Sequence, residues 1–124
     1  MTALSKLAQI ALSTRNLPKA IEFYRDALGL KLMFEVSGMA FFDMDGTRLM
    51  IGAAQYKGPL QNNTYLYFEA GDWAATEAAL TARGVKFDGE AEVIQRAEGK
   101  EHALRFFKDP DGNALAIMGW RPAK

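Results

Sequence analysis

The chain holds one histidine, His102, and no cysteine, and these two facts remove most of the strong chemistry open to a small protein. Thiolate zinc sites, iron–sulfur clusters, disulfide scaffolds and cysteine nucleophiles are excluded. An iron centre of two histidines and a carboxylate is impossible with one histidine. Ser5, Ser13 and Ser37 stand in no Gly-x-Ser-x-Gly elbow. Gly84 and Gly89 have the spacing of a phosphate loop, but Glu90 follows where that loop needs lysine. His102 could act as a general acid or base, because imidazole ordinarily changes charge near neutrality. It could equally be a strand-edge residue of the charged stretch Glu98-Gly99-Lys100-Glu101-His102. If its strand turns it toward a ligand, period-2 alternation brings Leu104 and Phe106 with it and puts Ala103, Arg105 and Phe107 behind. A bulge would reverse that phase.

Carboxylates cluster in two Asp-x-Asp-Gly stretches, Asp43-Met44-Asp45-Gly46 and Asp109-Pro110-Asp111-Gly112. Neither continues into the acidic loop with a terminal glutamate that calcium needs, and apolar β-formers flank both, so each reads as a hairpin turn. Glu69, Glu92 and Glu101 show no spacing that converges with them. Aromatic residues form 11% of the chain, and Phe34, Phe41, Phe42, Tyr65, Tyr67, Phe68, Phe106, Phe107 and Trp120 all fall on predicted strands. Most are expected in the core; those on the ligand-facing phase of their strands are candidates for a pocket wall. Of the six methionines, Met33, Met39, Met44 and Met50 lie in the first half, as gap-fillers or as an adaptable apolar lining.

The elements that would position these residues repeat. Ala20 to Leu32 lies over Ala75 to Phe87 at an offset of 55, with Ala20/Ala75, Glu22/Glu77, Ala27/Ala82, Gly29/Gly84 and Lys31/Lys86 identical. Each segment reads as an amphipathic helix stopped by a glycine and followed by a strand. Asn16 caps the first helix, with Pro18 in its first turn, to about Leu28; Asp72 caps the second, to about Arg83. Strands are expected at 7–13, 31–35, 39–44 and 47–53, and again at 65–70, 85–96, 102–108 and 114–120. The two Asp-x-Asp-Gly turns are further apart than the helices, which predicts an insertion in 89–100. The fold class is therefore α+β: two tandem β-α-β-β-β modules, 5–54 and 64–121, joined by a linker at 55–63 with Gly58-Pro59. One half cannot bury both its helix and its sheet, so the 124 residues should form one domain of paired modules.

Lys and Arg number 15, as do Asp and Glu, so no basic excess exists to neutralise phosphates and a nucleic-acid partner is not expected. No apolar run is long enough to span a bilayer and the N-terminus lacks a signal-peptide pattern, so the expected location is the cytoplasm, without a membrane partner.

With the repeated module in place, the residues resemble the vicinal oxygen chelate superfamily of glyoxalase I, bleomycin-resistance and fosfomycin-resistance proteins and extradiol dioxygenases. The matching stretches are Ile10-Ala11-Leu12, Asn16-Leu17, Ala20 to Leu30, Phe68-Glu69-Ala70-Gly71-Asp72, Ala82 to Phe87, and Phe106 to Asn113. The resemblance implies curled mixed sheets that cup a small ligand, in a homodimer. It also implies metal ligands on the first and last strands of each module, which fall here on Gln9 and Tyr65, and on Met50 and Ala116. A thioether and a methyl group cannot ligate a hard or borderline dication, a phenol must first lose its proton, and Gln9 remains as one neutral oxygen, too weak a ligand alone to hold a metal. No metal and no cofactor are therefore expected, and the extradiol dioxygenase activity is disfavoured. The expectation is metal-independent binding of a small, apolar or aromatic molecule at Gln9, Met50, Tyr65, His102, Phe106 and Ala116. The alternative is a glyoxalase-I-like lyase or isomerase, with an unorthodox metal site or with His102 and Tyr65 as acid and base.

Overall fold

The structure, a computed structural model, describes residues 3–55, 57–60 and 62–123. The chain divides into two compact units, Met1–Asn62 and Asn63–Lys124. Each carries a four-stranded mixed sheet and one helix. In the first unit β1 (Gln9–Thr14) leads into α1 (Leu17–Glu22), then β2 (Lys31–Val36), β3 (Met39–Met44) and β4 (Thr47–Ala53), in the sheet order β1-β4-β3-β2. In the second, β5 (Leu66–Glu69), α2 (Trp73–Ala82), β6 (Glu92–Ala97), β7 (Lys100–Lys108) and β8 (Ala114–Pro122) give the order β5-β8-β7-β6. The first strand runs parallel to the last and the other pairs are antiparallel, the same topology twice, as the internal repeat requires. Of the linker expected at 55–63, Tyr56 and Gln61 lie outside the described residues. Asn62 pins the outer edge of β1: its Oδ1 accepts from Ser13 N at 3.3 Å and its Nδ2 donates to Ser13 O at 3.0 Å.

Both helix starts follow the sequence signals. Asn16 Oδ1 accepts from Lys19 N at 3.1 Å and Asp72 Oδ1 from Ala75 N at 3.0 Å, each satisfying a donor that the first helical turn leaves free. Gly84, at φ +91°, ends α2 by letting Val85 N reach back to Leu80 O at 3.0 Å. The first helix differs from expectation in its second half. Phe23–Ala27 forms a π turn, with Leu28 N bonded to Phe23 O at 3.0 Å, and the fully buried Tyr24 sits inside it, its ring against Phe23 and Phe42.

The core of each unit lies between helix and sheet. Leu12, Ala20, Ile21, Tyr24, Ala40, Phe42, Leu49 and Ile51 are buried in the first, and Leu66, Leu80, Val85, Ala103, Phe107, Leu115 and Ile117 in the second. The alternation along β4 and β7 leaves the opposite sheet face for other work.

The strand expected at 85–96 is broken. Phe87 makes a single bridge to Phe107, Gly89 adopts φ +86°, and regular pairing begins only at Glu92. The extra length of the second module is correspondingly split and does not sit wholly in 89–100. Part precedes β6, and part lengthens β7, nine residues against six in β3. Both modules carry the same irregularity, a register shift at Leu32/Phe34 in β2 and at Val93/Gln95 in β6.

Both Asp-x-Asp-Gly stretches are the expected hairpin turns, built differently. Asp45 (φ 54°) and Gly46 (φ 98°) form a tight two-residue connection with both central residues left-handed, and Asp43 Oδ1 accepts from Gly46 N at 2.9 Å. In the second, the buried Asp109 accepts from Asp111 N and Asn113 N at 2.9 Å and from Asn113 Nδ2 at 2.7 Å. Asp109→Ala strands those donors in a buried turn and is expected to cost about 2–3 kcal/mol, against about 1 kcal/mol for Asp43→Ala. Urea melts of the two variants check this, and equal losses would contradict it.

Candidate functional site

The registers decide which side chains share the sheet face away from each helix. In the second module β7 pairs with β8 without a break: His102 lies opposite Trp120, Leu104 opposite Met118 and Phe106 opposite Ala116. β5 adds Tyr67 opposite Ala116 and Glu69 opposite Met118. Arg105 points the other way, its Nη1 2.8 Å from Glu77 Oε2 on α2. His102 is thus in phase with Leu104 and Phe106, on the face away from α2.

Along this face the rings are in contact. The His102 imidazole stacks on Trp120 at 4.8 Å between centroids and 18° between planes. Phe106 meets Tyr65 and Tyr67 edge-on, at 6.1 Å and 6.0 Å. A hollow of about 400 Å³ is lined by Tyr67, Glu69, Ala70, Gly71, His102, Met118, Gly119 and Trp120, large enough for a small ligand. His102 and Phe106 are half-buried, Ala116 is buried, and Tyr65 is 58% exposed, one residue ahead of β5. Of the residues predicted from sequence, His102 lines the hollow, while Tyr65, Phe106 and Ala116 belong to the adjoining ring cluster on the same sheet face. Tyr67 and Trp120, raised from sequence only among the strand aromatics, and Met118 complete it; Tyr67 lies two residues from Tyr65, Met118 two and Trp120 four from Ala116, and that phase was the signal that could have singled them out.

In the first module the corresponding face carries Gln9, Met50, Arg48, Phe41 and Phe34. Gln9 Nε2 faces Met50 Sδ at 4.0 Å, while Gln9 Oε1 accepts from Arg48 Nε at 2.8 Å. The Arg48 guanidinium carbon sits 5.0 Å from the centre of the Phe41 ring, and Phe41 stacks on Phe34 at 4.6 Å. Sequence reasoning singled out Gln9 and Met50 and passed over Arg48, two residues from Met50 on the same strand face.

These neighbours decide whether a divalent cation fits. In the first module the one oxygen offered, Gln9 Oε1, is already bonded to a guanidinium whose charge repels a metal ion, and its companion is a thioether. In the second, the equivalent positions hold a phenol and a methyl group. Among the described residues no three His, Cys, Asp or Glu side chains gather closely enough to hold a metal. The donor sets do not fit a dication.

Comparison with known proteins agrees with this architecture. The family model described as the glyoxalase/bleomycin resistance protein/dioxygenase superfamily matches residues 6–117. An uncharacterised protein of Bacillus subtilis, YraH, is 30% identical over 128 residues, covering 90% of this chain and 96% of that protein. A lactoylglutathione lyase from Agrobacterium tumefaciens is similar in fold, with TM-score 0.75 and 20% identity over 95% of this chain and 96% of that one. A glyoxalase/bleomycin resistance protein/dioxygenase from Alicyclobacillus acidocaldarius has TM-score 0.72 and 20% identity over 93% and 91%. No described helix is long and apolar enough to cross a membrane. On its repeated β-α-β-β-β topology and the matched residues, the chain belongs to the glyoxalase/bleomycin resistance protein/dioxygenase superfamily.

Proposed function

We propose that the protein binds a small, flat, apolar or aromatic molecule without a metal ion, in the manner of a sequestering or carrier protein. The observation that carries this reading is the hollow of the second module, walled by the stacked His102–Trp120 pair and by Tyr67 and Met118. Phe106, Tyr65 and Ala116 extend the apolar surface beside it, and Gln9 and Met50 mark a candidate ligand face of the first module by itself. Binding free energy would come from burial of flat apolar surface and ring stacking, with one or two polar contacts fixing orientation. The reading includes a homodimer, which light scattering in solution tests.

Isothermal titration with neutral two-ring aromatics such as 2-naphthamide, with and without EDTA, tests it directly. The affinity is expected to be unchanged by EDTA and to fall about tenfold in Trp120→Ala, which removes one stacking wall. A requirement for added nickel or zinc would overturn it, as would an unaltered affinity in Trp120→Ala.

A second reading, metal-free acid–base isomerisation, draws on His102 and Tyr65. It is favoured by the imidazole lining the same hollow as Glu69 and Tyr67. Turnover of a hemithioacetal that disappears in His102→Ala would replace the first reading with this one.

A further inference from the structure

The first module's sheet face carries an arginine, Arg48, where the repeat places Ala114 in the second. Arg48 is exposed, and its Nε–H is committed to Gln9 Oε1 at 2.8 Å. That bond fixes the plane of the guanidinium beside Phe41, whose centre is 5.0 Å away. The four N–H donors on Nη1 and Nη2 remain, and among the described residues no carboxylate comes within ion-pair distance of them. Asp43 lies directly across the ladder from Arg48, but its Oδ1 is engaged at the turn by Gly46 N. Next to the guanidinium lie the stacked Phe34–Phe41 pair and the Met50 thioether.

An oriented guanidinium with a free fork matches a carboxylate in two parallel hydrogen bonds. In an exposed position one such charge contact is weak by itself, so an inorganic anion would gain little there. A ligand that adds a flat apolar body against Phe34, the exposed member of the stacked pair (42% exposed, against 8% for Phe41), gains both terms. The same residues repel a metal ion and attract an organic anion.

We infer that this face recognises aromatic or flat apolar carboxylates, with Arg48 clamping the carboxylate, Gln9 holding Arg48 in plane and the Phe34–Phe41 pair carrying the ring. The inference goes beyond the hollow of the second module and rests on the reading above only in that the chain binds flat apolar molecules, adding a face on the first module and the charge of its ligand.

The test compares 2-naphthoate with its neutral match 2-naphthamide by isothermal titration of the full chain, with ¹H–¹⁵N spectra locating the contact. The acid is expected to bind about tenfold more tightly than the amide. That preference should vanish in Arg48→Gln, survive in part in Arg48→Lys, and grow about twofold in Asp43→Asn, where the turn acceptor is kept and the competing charge removed. Naphthoate should shift the Gln9 side-chain amide and Arg48 Nε–H signals. Equal affinity for acid and amide overturns the inference and leaves the parent reading standing, as does an acid that shifts only second-module signals. A preference that persists in Arg48→Gln overturns it too. If neither compound binds, both readings fall.

Discussion

Replacing Gly119 by alanine is expected to destabilise the protein by about 3 kcal/mol, lowering the melting temperature by roughly 10 °C. Gly119 is buried in β8 beside the end of β5, and a Cβ there would run into the Ala70 carbonyl oxygen, with the Ala70 carbonyl carbon and Cβ both at 3.3 Å. The obstacle is backbone, and that backbone is tied: Ala70 N donates to Met118 O at 2.8 Å. Relief therefore requires β5 and β8 to separate, which breaks a ladder bond and widens the hollow that Ala70, Met118 and Gly119 line. Ligand affinity should fall with stability. Gly52, in β4 of the first module, is the control. An added Cβ there meets only Met50 Cε at 3.7 Å and Met39 Cγ at 3.9 Å, ordinary contacts with flexible side chains. Gly52→Ala should change stability by less than about 0.5 kcal/mol. Paired urea melts check the contrast, and a Gly119→Ala loss below about 1 kcal/mol would show that the strands can part cheaply.

The second large effect is expected at Glu101→Ala, a loss of about 3 kcal/mol. Glu101 is 4% exposed, on the helix-facing side of β7. Its Oε1 accepts from Nε of Arg121 at 2.8 Å and lies 2.8 Å from Nη2 of the same guanidinium, and the Arg121 side chain is only 13% exposed. The guanidinium also lies 5.3 Å from the centre of the Trp73 ring. Removing the carboxylate leaves Arg121 charged, largely desolvated and without its hydrogen-bonded counter-ion. The cost is that of an uncompensated buried charge, and it exceeds what the pair contributes relative to an apolar one. The double variant Glu101→Leu, Arg121→Met should therefore recover most of the loss, to within about 1 kcal/mol of the parent. Arg96 reaches Glu101 Oε2 at 3.8 Å from a side chain that is 72% exposed, and Arg96→Ala should cost less than about 0.5 kcal/mol. A double variant as unstable as Glu101→Ala alone would mean that packing, and not charge, sets the cost.

Much of the architecture was legible because it rests on local rules that the chain states twice. Asn16 and Asp72 announce helix starts through the one acceptor each can offer, and Gly84 announces an end through a backbone angle other residues resist. Asp45-Gly46 specifies its hairpin by the same logic. The strand alternation of His102, Leu104 and Phe106 followed from a period of two, and the weakness of Gln9, Met50, Tyr65 and Ala116 as a set of metal donors followed from residue types. Non-local effects stayed hidden. The break at Gly89 and the division of the extra length between 85–91 and β7 depend on which residues of β6 find partners on β7. The π turn at Phe23–Ala27 goes with the burial of Tyr24 against a sheet the helix's own sequence does not contain.

The candidate site divides the same way. By itself the sequence determined the family's module, its repetition, and a donor set too weak to hold a dication at the expected positions, since each depends on residue identity and short-range geometry. Only the tertiary structure decided that His102 stacks on Trp120, that Gly119 must stay bare for Ala70 to approach, and that Arg48 bonds the oxygen of Gln9. Those contacts join residues 18 to 49 positions apart in the chain, and their existence is set by strand register, which short-range propensities do not encode.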